Sequence, residues 1–320
     1  MTRHLLCLSD LGAETITKLL DHADRLLARR KSAWPTWASL MAGEGVDDGA
    51  RRPLSGKSVA LVFEKASTRT RLSLEIAVVE LGGHPVFVSS STSQMGRGEP
   101  IADTSRVLSR MVHAVAFRTS SVERLKEMAE NSSVPVLNAL TDASHPMQLL
   151  ADLQTVRRVR GRLRGLKYVW IGDGNNMANS WVEAAGLLGL ELVVACPAGY
   201  EPDPAEVNRA KQRGATLSIV RDPLQAAAGA DVISTDVFIS MGQEEEQAQR
   251  RAAFAGMRVT AGLIERASSE VVVLHCLPAH RGEEIDAEVI DGPRSFVWDQ
   301  AEARLHTAKA ALTWALEADE

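Results

Sequence analysis

From residue 57 onward, short apolar runs alternate with helical patterns, and this alternation restricts the possible folds more than any other feature of the sequence. In the first series, strand-like runs at 58–63, 85–89, 114–118 and 134–138 are separated by helical patterns at 69–81, 101–111 and 122–130. Alternation of this kind is typical of βαβ units, in which helices cover a parallel sheet. The sequence therefore predicts an α/β protein.

A second series of the same kind predicts a second domain. Its strand-like runs lie at 167–171, 191–195, 216–220, 231–235, 271–275 and 295–298, with helices at 179–188, 204–213 and 223–228. At 320 residues the chain exceeds the usual size of one domain. We expect two doubly wound parallel-sheet domains joined by interdomain helices, with the stretch at 143–159 as the bridge between them and a final helix at 306–316 closing the chain. An amphipathic helix at 16–27 precedes a long loop at 34–53.

Composition excludes several classes of partner. The net charge of −5 argues against nucleic acid or an anionic membrane as the main partner. No apolar run approaches the ~18 residues of a membrane span, and residues 1–18 carry polar groups where a signal peptide needs an apolar core. We expect a cytoplasmic protein with a small substrate. The isolated Cys7, Cys196 and Cys276 indicate neither a disulfide framework nor a zinc site.

The turn after the first strand has the composition of an anion-binding site. Ser67, Thr68, Arg69 and Thr70 lie between the apolar run 59–62 and a helical pattern. The N–H groups at a helix start favour anions, hydroxyls add donors, and a guanidinium group matches phosphate oxygens. The stretch contains no glycine, so it is neither a P-loop nor a dinucleotide turn. A capped surface helix with solvated arginines is the alternative.

In open parallel sheets, ligands bind beyond the carboxyl ends of the strands, and polar residues concentrate there in this sequence. Arg118 ends an apolar strand, where a charge needs a partner. His145 and Gln148 are three residues apart at a helix start and can serve one carbonyl group, although a buried structural histidine is the alternative. Cys276 follows the strand at 271–275 and could equally be a buried structural thiol.

The turn 172–176, of sequence G-D-G-N-N, resembles a dinucleotide-binding turn only in part. Met177 replaces the third glycine, and Cys196 and Pro197 stand where a ribose-binding acidic residue would follow the next strand. The two asparagines can instead bind a carboxylate or an amide. Further on, Asp236 precedes the small-residue loop Ser240-Met241-Gly242, an arrangement suited to a lid over a cationic ligand.

Taken together, these motifs resemble the ornithine carbamoyltransferases over nearly the whole chain. S-T-R-T-R at 67–71, F-R-T at 117–119, H-P-x-Q at 145–148, G-D-G-N-N, D-x-x-x-S-M-G at 236–242 and H-C-L-P-A at 275–279 occur in the family's order and approximate spacing. The resemblance implies transfer of the carbamoyl group from carbamoyl phosphate to L-ornithine, giving L-citrulline and phosphate, without metal or organic cofactor. It also implies a carbamoyl-phosphate-binding domain at 1–144, completed by a helix at 304–320, and an ornithine-binding domain at 145–303.

The resemblance assigns roles to individual residues. The phosphate contacts would be Ser67, Thr68, Arg69, Thr70 and Arg118, and Arg304 would complete this site. Thr70, Arg118 and His145 would polarise the carbonyl oxygen, while Gln148 and the Leu277 carbonyl hold the carbamoyl amine. The ornithine contacts would be Asn176, Asp236, Ser240 and Met241, with Asp236 pairing the α-ammonium and Cys276 near the side-chain amine. The catalytic set is accordingly Arg118, His145, Gln148, Asp236 and Cys276.

Gln94 matches a family loop that reaches into the neighbouring subunit's site, which implies a homotrimer or a multiple of trimers. The chain departs from the family's pattern at Ala66, at Ala303 and in the longer loop after Trp34, but no proposed ligand is lost. Two alternatives stay open: a carbamoyltransferase for putrescine or an N-acylated ornithine, and a nucleotide-binding oxidoreductase. The D-x-x-x-S-M-G loop argues against the first alternative, because putrescine and N-acylated ornithine lack the free amino-acid head that Asp236 would bind.

Overall fold

The computed structural model describes residues 2–33, 52–240 and 244–317. The chain forms two compact units. The first comprises Met1–Leu6, Glu14–Thr141 and Ala303–Glu320, and the second comprises Cys7–Ala13 and Asp142–Glu302. Each unit contains one parallel sheet, so the predicted fold class is confirmed.

The first unit is built on a four-stranded sheet with the strand order β2-β1-β3-β4. Its strands are β1 Ser58–Phe63, β2 His84–Ser89, β3 Ala114–Arg118 and β4 Val136–Leu140. Its helices are α1 Gly12–Ala33, α2 Thr68–Glu80, α3 Ile101–Leu108 and α4 Val122–Glu130. All strand pairs are parallel, and β1 lies between β2 and β3.

The second unit carries a five-stranded parallel sheet with the order β7-β6-β5-β8-β9. Its strands are β5 Lys167–Ile171, β6 Glu191–Ala195, β7 Thr216–Val220, β8 Val232–Thr235 and β9 Val272–His275. Its helices are α5 Pro146–Arg160, α6 Asn176–Leu188, α7 Pro204–Gln212, α8 Pro223–Ala227, α9 Gln247–Ala253, α10 Ala261–Ile264 and α11 Ala287–Ile290. A last helix, α12 Val297–Ala315, begins in this unit and ends in the first.

The structure corrects two of the predicted elements. The expected strand at 295–298 is wrong: Ser295 makes one isolated bridge to Val273, and α12 starts at Val297. The run Ser-Phe-Val-Trp is apolar enough for a strand, but a run this short does not distinguish a strand from the first turn of a long helix. The fourth strand ends at Leu140 rather than at 138, so Asn138 lies inside it. The expected loop at 34–53 falls almost wholly outside the described residues.

Continuous apolar runs in the central strands explain the two cores. In β1 the residues from Val59 onward are buried, and β3 is buried along its whole length. Strands buried on both faces are characteristic of parallel sheets covered by helices. No helix among the described residues has the length and apolar character of a membrane span.

Close contact between two backbone segments requires a glycine at position 174, in the G-D-G-N-N turn. A Cβ on Gly174 would lie 2.2 Å from the carbonyl carbon of Glu201 and 2.3 Å from the nitrogen of Pro202. Since backbone atoms cannot move aside as a flexible side chain can, any side chain here must displace the turn. Gly174 therefore serves close packing of two chain segments.

We predict that Gly174→Ala lowers the free energy of unfolding by about 1–3 kcal/mol, because it overpacks a backbone contact. Gly262→Ala in α10 is the matched control, since its added Cβ meets no atom within 4 Å. The measurement is urea unfolding of both variants. Equal stability of the two would contradict the packing argument.

Candidate functional site

In the first unit, β1 leads into α2 through the hydroxyl-rich turn, residues 67–70. Ser67 precedes the helix with extended backbone, at φ −159° and ψ 123°, and α2 begins at Thr68. The N–H groups of the first helical turn have no partner within a helix and carry its positive dipole end. The structure thus places the predicted donors Ser67, Thr68, Arg69 and Thr70 at a helix N-terminus.

Two guanidinium groups converge on the Thr70 hydroxyl. Arg304 Nη2 donates to Thr70 Oγ1 at 3.0 Å, and Arg118 Nη1 lies 3.4 Å from the same oxygen. Thr70, Arg118 and Arg304 are 3%, 6% and 6% exposed, so both positive charges are largely removed from water. Two buried like charges around one small hydroxyl favour an anion, which would relieve their repulsion.

Gln94 lies on a compact turn after β2. The turn contains two 3₁₀ segments, Ser90–Thr92 and Gln94–Arg97. Met95 is buried in the core of the first unit, while the neighbouring Gln94 is exposed. Met95 therefore anchors the turn and Gln94 is presented outward.

His145 and Gln148 are buried at the start of α5 in the second unit. The His145 backbone N–H donates to Ser180 Oγ at 2.8 Å, and the Ser180 hydroxyl donates to the carbonyl of Asn176 at 2.7 Å. These bonds connect the predicted histidine to the G-D-G-N-N turn. Gln148 Nε2 donates to Asp152 Oδ1 at 2.8 Å.

Asn175, to which the motifs assign no individual role, makes two sets of structural contacts. Its Oδ1 accepts from the N–H groups of Met177 and Ala178, which caps α6. Its Nδ2 donates to Asp236 Oδ2 at 3.1 Å. Asn176 follows as the first residue of α6. The Asx cap was detectable from the sequence as an asparagine before a helix, whereas its contact with Asp236 was not.

Asp236 and Cys276 are brought together after β8 and β9. Cys276 Sγ donates to Asp236 Oδ1 at 3.0 Å, and the Val237 N–H donates to the same oxygen at 2.8 Å. Asp236 is 8% exposed, and in the described part of the chain it accepts hydrogen bonds from uncharged donors only. A buried carboxylate in such surroundings is a favourable place for an ammonium group. Ser240 is half-buried, and Met241 lies outside the described residues.

A buried ion pair that sequence reasoning missed holds the segment after Asp236. Arg250 pairs with Asp173, and its Nε donates to the carbonyl of Phe238 at 2.7 Å. Burial raises the pKa of Asp173, and the charge of Arg250 opposes that rise. Arg250 also lies over the ring of Tyr200, 5.0 Å from its centroid. In a charged stretch such as 244–251, no sequence signal separates the one buried arginine from its exposed neighbours.

His275 orients the chain around Cys276 and Leu277. Its Nδ1 accepts from the Leu277 N–H at 2.9 Å, so the proton resides on Nε2, which faces Glu284 Oε1 at 3.0 Å. Leu277 has a φ of 56°, an unfavourable conformation for a residue other than glycine. The bond to His275 therefore holds the Leu277 backbone in a strained position. His275 belongs to the H-C-L-P-A motif, but nothing in the sequence pairs it with Glu284.

Asp236, His275 and Cys276 also have the ligand atoms of a metal site, all within 4.8 Å of one another. The hydrogen bonds just described already occupy these atoms. Nδ1 of His275 is held by a backbone N–H, Nε2 faces Glu284, and the Cys276 thiol is bonded to Asp236. The cluster in this arrangement is a hydrogen-bond network, and a metal ion would have to break it.

Known proteins of one family match this chain over nearly its whole length. Residues 3–158 match the family model described as "Aspartate/ornithine carbamoyltransferase, carbamoyl-P binding domain", and residues 164–315 match the "Asp/Orn binding domain" of the same family. The ornithine carbamoyltransferase of Geobacter sulfurreducens is 50% identical over 313 residues, which cover 98% of each chain. The structure of ornithine carbamoyltransferase from Pyrococcus furiosus gives a TM-score of 0.90 at 42% identity, covering 100% of this chain and 98% of the other.

The chain therefore belongs to the aspartate/ornithine carbamoyltransferase family. The resemblance inferred from the motifs is confirmed. A second solved structure, that of ornithine carbamoyltransferase from Thermus thermophilus, agrees with a TM-score of 0.86 at 42% identity over 99% of both chains.

We predict that inorganic phosphate binds at Thr70, Arg118 and Arg304 and raises the melting temperature of the protein. Arg118→Ala and Arg304→Ala should each weaken phosphate binding about tenfold or more, because each removes a charge-assisted donor. Arg281→Ala is the control, since Arg281 is exposed and paired with Asp291. Differential scanning calorimetry with increasing phosphate measures the effect; undiminished affinity in Arg304→Ala would contradict it.

Proposed function

We propose that this protein is an ornithine carbamoyltransferase, which forms L-citrulline and phosphate from carbamoyl phosphate and L-ornithine. The observation that carries the proposal is the buried Asp236 carboxylate, bonded to Asn175 and Cys276 and to no cation in the described part of the chain. An amino-acid head with an α-ammonium group supplies the missing charge. The names of the relatives support the same activity.

Carbamoyl phosphate is bound through its phosphate by the first unit. Ser67, Thr68, Arg69 and Thr70 donate from the hydroxyl-rich turn, and Arg118 and Arg304 add charge-assisted bonds. Gln148 and the Leu277 carbonyl accept hydrogen bonds from the carbamoyl amine. Convergence of two guanidinium groups on Thr70 supports the phosphate assignment.

Ornithine is bound through Asp236, Asn176, Ser240 and Met241. Asp236 pairs with the α-ammonium, and Asn176 donates to the α-carboxylate. Cys276, held against Asp236 by its thiol, lies beside the side-chain amine.

In the reaction, the neutral side-chain amine of ornithine attacks the carbonyl carbon of carbamoyl phosphate. A C–N bond forms, the C–O bond to phosphate breaks, phosphate leaves with the electron pair, and the proton lost by the amine is taken up by the departing phosphate. Negative charge develops on the carbonyl oxygen, where Thr70, Arg118 and His145 donate. Donors preorganised for a developing oxyanion contribute several kcal/mol each to lowering the barrier.

The surroundings of the G-D-G-N-N turn argue against an oxidoreductase. Asp173 pairs with Arg250, and Gly174 packs against the backbone of Glu201 and Pro202. In a dinucleotide turn the glycine would leave room for a pyrophosphate. Here that space is filled by the protein itself.

We predict that ornithine is turned over faster than putrescine, N-acetylornithine or aspartate by at least about a hundredfold in kcat/KM. N-acetylornithine has no α-ammonium and leaves the buried Asp236 unpaired, putrescine lacks the α-carboxylate that Asn176 would bind, and aspartate has no side-chain amine to attack. A colorimetric assay of carbamoylated products with the four acceptors measures the ratio. The assignment would be overturned by equal turnover of putrescine or N-acetylornithine.

We further propose that the protein is a homotrimer or a multiple of trimers, acts in arginine biosynthesis or a urea-cycle-type step, and is cytoplasmic. The turn at Gln94 supports the trimer, since Met95 is anchored in its own core while Gln94 is exposed. Gln94 then completes the carbamoyl phosphate site of a neighbouring subunit. The α2 residues Leu72 and Val79, 58% and 55% exposed, offer apolar surface on the same unit.

We predict that Gln94→Ala and Arg69→Ala are each inactive alone and recover part of the activity when mixed. Some interfaces in a mixed oligomer receive one intact half from each chain. Subunit exchange is verified by mass spectrometry. A mixture of Arg69→Ala with Arg118→Ala shows the activity expected without complementation, because both changes lie in the same half of the proposed site. If verified mixed oligomers regain nothing, each chain builds its site alone.

A further inference from the structure

A network of buried amide and carboxylate groups, linked by hydrogen bonds, runs through the second unit from α5 to β9. Gln148, Asp152, Gln300 and His275 are 2%, 0%, 1% and 1% exposed. Gln148 Nε2 donates to Asp152 Oδ1 at 2.8 Å, Gln300 Nε2 donates to the same oxygen at 2.7 Å, and Gln300 Oε1 accepts from the His275 backbone N–H at 2.9 Å.

The direction of the hydrogen bonds in this network, from donor to acceptor, is fixed from one end. The His275 backbone N–H can only donate, so Gln300 must turn Oε1 toward it and Nε2 toward Asp152. Asp152 Oδ1 accepts that bond and a second one from Gln148. Gln148 consequently has its NH₂ end directed at Asp152 and its carbonyl end directed the other way.

We propose that Asp152 is a positioning residue that sets the specificity for the carbamoyl NH₂ group, by making Gln148 present a hydrogen-bond acceptor to the ligand. The inference rests on the proposed function, in which Gln148 contacts the carbamoyl amine. An inverted Gln148 amide would put two NH₂ groups face to face. With Gln148 held as observed, a ligand bearing NH₂ gains a bond that a ligand bearing CH₃ cannot form.

The same network reaches the Leu277 carbonyl, the second proposed acceptor for the carbamoyl amine. Gln300 binds the backbone of His275, and the His275 ring holds the N–H of Leu277, whose carbonyl is the other acceptor for the carbamoyl amine. Both acceptors are thus held by one buried network. Asp152 contacts neither the phosphate nor the reacting carbon in this scheme, which is why it positions rather than catalyses.

The test compares two stable ligands that differ only at this group. Phosphonoacetamide carries NH₂ on its carbonyl, and acetonylphosphonate carries CH₃. Isothermal titration gives the ratio of their dissociation constants for the wild type, for Asp152→Leu, and for Gln148→Leu as the reference without the acceptor. We expect the wild type to prefer the amide and Asp152→Leu to lose that preference about tenfold or more, down to the ratio of Gln148→Leu.

Two further arms separate positioning from general structural damage. Asp152→Asn retains an oxygen acceptor of the same shape and should keep most of the preference. A loss of affinity for both ligands by the same factor in Asp152→Leu, with an unchanged ratio, overturns the proposal. If Asp152→Leu does not fold, a neutron structure of the wild type with phosphonoacetamide decides: deuterons on the Gln148 atom that faces Asp152 support it, and deuterons on the opposite atom overturn it.

Failure of this inference is distinguishable from failure of the proposed function. A wild-type protein that makes no citrulline, or binds neither phosphonate, contradicts the carbamoyltransferase assignment itself. An active wild type whose preference for the amide survives in Asp152→Leu contradicts only the role of Asp152.

Discussion

Burial of His275 is the constraint on which the polar site of the second unit depends. This residue is 1% exposed, and both ring nitrogens and the backbone N–H have specific partners. A buried polar group left without a partner costs about 1–3 kcal/mol, so each of these bonds restrains a neighbour as well as His275 itself. Through them Gln300, Glu284 and Leu277 are fixed, and with Leu277 the position of the adjacent Cys276.

The buried polar groups of the two units have different surroundings. In the first unit, Arg118 and Arg304 bring two charges to one hydroxyl, an arrangement that a bound anion would stabilise. In the second unit, Asp236 is surrounded by neutral donors and suits a bound cation. Each unit is therefore complementary in charge to the ligand group proposed for it.

Much of this architecture could be predicted from the sequence because parallel strands are continuous apolar runs with polar residues at their carboxyl ends. The expected strands at 58–63, 114–118, 167–171, 191–195 and 216–220 coincide with the observed ones. The error at 295–298 arose where an apolar run is the buried start of a long helix. Contacts between distant residues, such as His275 with Glu284 or Arg250 with Asp173, leave no periodic signal. They depend on tertiary packing that no local pattern contains.

Asp173 and Gly174 illustrate why a motif has to be judged by what its residues touch. The Trp170 indole donates to the carbonyl of Asp173 at 2.8 Å, and the Asp173 side chain pairs with Arg250. Arg250 in turn binds the carbonyl of Phe238, two residues after Asp236. The glycine-containing turn thus helps to fix the segment that carries Asp236. A turn that resembles a nucleotide-binding loop in sequence is here occupied by internal contacts, because Asp173, Gly174 and Asn175 all serve the fold.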